Sequence, residues 1–60
     1  MTIRETISDY NDSEYVVIQE NGSQKILFYG TIKVLKDYHS ERLDTEPLVT
    51  IIKDDIRFIV

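Results

Sequence analysis

The chain has no cysteine and no tryptophan, one proline, one histidine and two glycines in 60 residues. Without cysteine there is no disulfide framework and no thiol chemistry. A lone histidine cannot assemble a tetrahedral zinc site from the usual nitrogen and sulfur ligands. Gly22 and Gly30 are too few for a glycine-rich phosphate loop. Apolar runs such as Ile26–Tyr29 span four residues, far short of a membrane-crossing helix. Met1-Thr2-Ile3-Arg4-Glu5 carries an acid early and no apolar stretch follows, so no leader is expected and the cytoplasm is the expected compartment.

What is there describes one small globular unit. The composition, 42% hydrophobic and 30% charged, is that of a folding chain rather than a disordered one. Residues 1–60 make a single domain near the lower size limit, whose core must supply about 3–5 kcal/mol without a staple. Eleven acidic against seven basic residues give a net charge of −4, which argues against direct binding to nucleic acid.

Asn21-Gly22 between two apolar runs is a strong hairpin signal, because a type I′ turn needs φ > 0 at both central residues. A two-residue turn there sets Ile18 opposite Lys25, Val17 opposite Ile26, and Tyr15 opposite Phe28. Thr2 to Asp9 reads as a short helix with Thr2 as N-cap and Glu5 completing a capping box. Gly30 releases the strand, and Thr31 caps a second helix over Ile32–Ser40. That helix would bury Ile32, Leu35, Tyr38 and Val34 and leave His39 in water. Glu41–Pro47 is a polar connection. Leu48–Lys53 and Ile56–Val60 form a second hairpin around Asp54-Asp55, with Ile51 opposite Phe58 and Val49 opposite Val60.

The order α-β-β-α-β-β predicts a two-layer α+β domain: a four-stranded, largely antiparallel sheet from two β-hairpins, with two short helices on one face. The covered face is expected to hold Tyr15, Val17, Ile26, Phe28, Val49, Ile51, Phe58 and Val60. Two short helices cannot cover both faces. Val16, Ile18, Leu27, Tyr29, Ile52 and Ile59 are therefore expected on the uncovered side, as the partner-binding residues.

Constellations with catalytic potential are weak. Asp9, Asn11, Ser13 and Glu20 match positions 1, 3, 5 and 12 of a calcium loop, yet Glu14 stands where the loop needs glycine, so an ordinary acidic turn is expected. Asp37 and Glu41 sit two residues from His39, a spacing that gives the imidazole no facing partner on a helix. Ser8, Ser13, Ser23 and Ser40 fit no nucleophile motif. No enzyme activity, cofactor or metal is expected. Asp37, Glu41, Asp44, Glu46, Asp54 and Asp55 read as a solvated acidic surface or, more sharply, as a mimic of nucleic-acid phosphates diluted by Lys33, Lys36, Arg42, Lys53 and Arg57. Of the four tyrosines, two are expected in the core and Tyr29 against a partner.

The segments TIRETI, DYNDSEYVVIQENG, ILFYGTIKVL and PLVTI…IRFIV resemble short uncharacterised acidic proteins of Gram-positive mobile elements and phages. The resemblance implies a cytoplasmic accessory protein and transfers no catalytic residue. The sequence thus predicts a small acidic interaction domain that binds a protein partner, or itself as a homodimer, through an uncovered apolar sheet face. A nucleic-acid-mimicking inhibitor of a DNA- or RNA-binding protein is the rival reading.

Overall fold

Thr2 starts the first helix as its sequence requires. In the computed structural model, which describes residues 1–60, the Thr2 side chain accepts from the Glu5 amide while the Glu5 carboxylate accepts from Thr2 N at 2.8 Å. These bonds hold the Glu5 carboxyl below the usual glutamate range, the Thr2 backbone N–H contributing most. Helix α1, Ile3–Ile7, is a little over one turn long and buries both isoleucines. So short a helix has little intrinsic stability and is held by that burial.

Strands β1 (Tyr15–Gln19) and β2 (Ile26–Thr31) form the first hairpin, and β3 (Val49–Ile52) and β4 (Ile56–Ile59) the second. The sheet order is β2-β1-β4-β3, so the hairpins are joined by one parallel pair, β1 with β4. Helix α2, Ile32–Tyr38, begins where Thr31 Oγ1 accepts from the Val34 amide. Two further amides at its start, Ile32 and Lys33, donate to the carbonyls of Glu14 and Asp12. The turn after α1 thereby satisfies donors that a helix end would otherwise leave open.

The expected α+β class and two-layer arrangement are present, but the registers differ from expectation. Ile18 lies opposite Phe28 rather than Lys25, a shift of three residues. The loop is longer than a two-residue turn: Glu20 N donates to the Lys25 carbonyl at 2.8 Å, leaving Asn21–Gln24 as the tip. Gly22 (φ 91°) and Gln24 (φ 60°) take the left-handed conformations. The second hairpin is shifted by one: Ile51 faces Arg57 and Thr50 faces Phe58, around a turn closed by Lys53 N to the Asp55 carbonyl.

An odd shift exchanges the faces of one strand against the other. The covered face therefore carries Val16, Ile18, Phe28, Ile56 and Phe58, packed with Ile3, Ile7, Ile32, Leu35 and Leu43. Every buried residue is apolar, each full burial being worth about 1.5–3 kcal/mol. No residue of β3 joins this core, and all four of its residues are exposed.

Several local expectations are also corrected. Gly30 does not end the strand; it pairs with Val16 inside β2. Helix α2 stops at Tyr38, whose side chain is 76% exposed, and Val34 is exposed too. Their place in the core is taken by Leu43, brought in by a 3-10 helix over Ser40–Asp44 within the segment expected to be a plain connection. His39 is half-buried and meets the Phe28 ring edge-on at 5.1 Å between centroids. Of the tyrosines only Tyr10 packs against the core, and only partly. No helix is long and apolar enough to cross a membrane.

Candidate functional site

The side of the sheet away from the helices has no layer over it. Its residues follow from the ladder: Tyr29, Val17, Arg57 and Ile51 stand in one row across the four strands, and Ile26, Gln19, Ile59 and Val49 in the next. Tyr15, one row further, lies against Tyr29 with ring centroids 5.7 Å apart and planes inclined by 22°. Offset aromatic pairs of this kind add about 0.5–1.5 kcal/mol beyond area burial. Val17 is only 4% exposed although nothing but its neighbours covers it. By contrast Tyr29 is 64% exposed, and Tyr15, Ile26, Val49 and Ile51 are each open to solvent over about half their surface.

The half of this face nearest the Asn21–Gln24 loop is a groove of about 620 Å³. Val49, Ile51 and Ile59 line it on the sheet side and Arg57 is its one cation. The guanidinium is held in place: Nη1 donates to Gln19 Oε1 at 3.3 Å and Nη2 lies 4.0 Å from Asp55. Gln19 in turn donates to the Gln24 carbonyl at 3.1 Å, and the Asn21 amide donates to the Val60 carbonyl at 2.9 Å. The loop is thus fastened at both ends of its span to the face it borders. A fixed cation beside an apolar floor suits an acidic or carbonyl-rich group carried by an apolar segment.

Of the six residues expected on the uncovered face, Tyr29 and Ile59 are there. Val16 and Ile18 are instead fully buried beneath the helices, because the register shift turned them inward. Leu27 is half-buried and packs against the core at the point where the β1–β2 register slips. Ile52 is exposed, but on the helix side of the edge strand beside Ile56. The residues missed are Tyr15, Ile26, Val49 and Ile51. Tyrosine and isoleucine on a doubly apolar hairpin was the available signal, and it did not say which face they share.

The acidic side chains are dispersed, and five of the eleven lie within 4.0 Å of a cationic group. Asp44 meets Arg4 at 3.2 Å, Asp37 meets Lys33 at 3.0 Å, and Asp12 meets Lys36 at 2.9 Å. Glu46 lies 2.7 Å from the amino terminus. Such exposed pairs contribute little to stability, about 0–1 kcal/mol each, but they do neutralise one another. No three of the His, Asp and Glu side chains are gathered where they could hold a metal ion. Comparison with protein-family models, curated proteins and solved structures returned no match.

Proposed function

We propose that this chain is a small cytoplasmic, non-enzymatic interaction domain that docks a protein partner on its open sheet face. The observation that carries the reading is the stacked Tyr15–Tyr29 pair with exposed Ile26 on one side of a face without a covering layer, and exposed Val49 and Ile51 on the other, with the Arg57–Gln19 pair between them. Contiguous apolar surface rimmed by polar residues marks interaction sites, and tyrosine is enriched in them. Arg57, with Glu20 on the loop side of the same groove, supplies the charge that would orient the partner. Nucleic-acid mimicry is the weaker reading, since Asp12, Asp37, Asp44 and Glu46 already face cations rather than presenting a bare acidic row.

The test is a photo-crosslinking residue placed at Tyr29, with the same residue at Val34 on the exposed side of α2 as control. Crosslinks in the native host are expected from position 29 and not from 34, and Ile51→Lys should abolish them. Loss of crosslinks on Asp44→Asn with Asp54→Asn, but not on Ile51→Lys, would transfer the function to the acidic surface.

A further inference from the structure

Strand β3 is an edge strand with unusual chemistry. Leu48, Val49, Ile51 and Ile52 are all exposed, on both faces of the sheet, and Pro47–Ile52 contains no charge. Edge strands are ordinarily blunted by charges or bulges, because their open backbone groups template pairing with another chain. Here only shortness and the preceding Pro47 restrain it. The pattern Leu-Val-Thr-Ile-Ile is also symmetric in character about Thr50. Antiparallel pairing with an identical strand about that residue would set Val49 opposite the partner's Ile51, and Leu48 opposite the partner's Ile52. Apolar meets apolar on both faces, and threonine meets threonine at the axis, where such pairs are favourable.

In this register the partner's Lys53 falls opposite Pro47 and its Asp54 opposite Glu46, whose carboxylate already lies 2.7 Å from its own amino terminus, so the charges stand at the ends of the seam and leave its apolar centre to decide the pairing. For a chain of net charge −4, a charge-free edge is where a second copy meets least repulsion.

We infer that β3 pairs with β3 of a second copy, antiparallel and about a two-fold axis at Thr50, so that two four-stranded sheets become one. The seam is shorter than a standard interface of about 800 Å² per partner. The dimer is therefore reversible and concentration-dependent. Dimerisation also sets two open faces side by side, but it does not rest on their binding anything.

A cysteine-free chain permits a clean test. Under mild oxidation Thr50→Cys should form a disulfide dimer rapidly, since opposed residues at the axis fall within the Cα span of about 4.4–6.8 Å that a disulfide needs. Ile52→Cys alone should crosslink slowly, its two copies standing about 13 Å apart along the seam. Without crosslinking, sedimentation of the wild type should show mass rising with concentration. Ile52→Lys should weaken that association about tenfold or more, while Tyr29→Lys leaves it unchanged. A wild type that stays monomeric at millimolar concentration would overturn the inference. So would equal crosslinking rates at positions 50 and 52. Association lost with Tyr29→Lys but kept with Ile52→Lys would overturn it too, pointing to stacked open faces and leaving the proposed function standing. β3 amides protected from exchange only when a different protein is added would give the edge to that protein instead.

Discussion

The ring of Phe28 lies over Gly30, its neighbour but one on the same strand: a β-carbon at position 30 would come within 3.1 Å of the ring's Cζ. Glycine here makes room for a core aromatic rather than ending a strand. Gly30→Val should therefore cost about 1–3 kcal/mol by overpacking, with Gly30→Ala lower in that range. Urea unfolding checks both, and Phe28→Leu should recover part of the loss in the Gly30→Ala background.

The inverted faces predict an asymmetry between adjacent residues of β1. Ile18→Lys places an unpaired charge among Phe28, Phe58 and the helices and should unfold the domain. Val17→Lys, on the open side, can extend its ammonium past Tyr29 and Arg57 into water and should leave a folded, destabilised chain. Circular dichroism of the pair is sufficient, and two unfolded variants would put a second layer over the open face.

The hairpin tip makes a separate prediction. Gly22 has φ 91°, so Gly22→Val should destabilise by about 1–3 kcal/mol. Gln24 also sits at positive φ, so Gln24→Gly should be neutral or stabilising despite removing a side chain. Melting temperatures that fall for both would mean that the loop is not held in this conformation.

Acid should loosen the amino-terminal helix. The Glu5 carboxyl is held low by its bonds to Thr2, so its contribution is fully present above the ordinary glutamate range and is lost as pH falls through the depressed value. Glu5→Gln keeps an acceptor but no titrating charge, and its urea midpoint should fall less between pH 6 and about pH 3 than that of the wild type. At the other extreme Lys33 is raised, chiefly by its hydrogen bond to Asp37. That contribution holds below the ordinary lysine value and fades as pH climbs through the higher one. Parallel acid titrations of wild type and Glu5→Gln would mean that the Glu5 carboxylate does not stabilise the helix start.

Which elements form was legible because their signals are local. Thr2 with Glu5 and Thr31 with Val34 are within three residues of each other, and the helices start there. Register was not legible, for a reason visible in β1 and β2. Tyr15–Ile18 and Ile26–Tyr29 are apolar at every position, so alternation could not say which side faces the helices. The deciding facts are distant ones: Ile56 and Phe58 arriving beside Val16 and Ile18, and Leu43 closing the core where Tyr38 was expected. The composition of the interaction surface failed with the register, since Val16 and Ile18 exchanged places with Tyr15 and Val17.

The parallel contact between β1 and β4 also sets how this chain must fold. Each hairpin can close within microseconds, yet an isolated two-stranded hairpin is marginal in water. Val16 and Ile56, forty positions apart, must meet before the two hairpins become one sheet. Loop closure over that separation precedes most of the hydrophobic reward, which makes it the slow event. Damage at the Val16–Ile56 seam should slow refolding more than equal damage at the outer strands, and the whole domain should be lost in a single step.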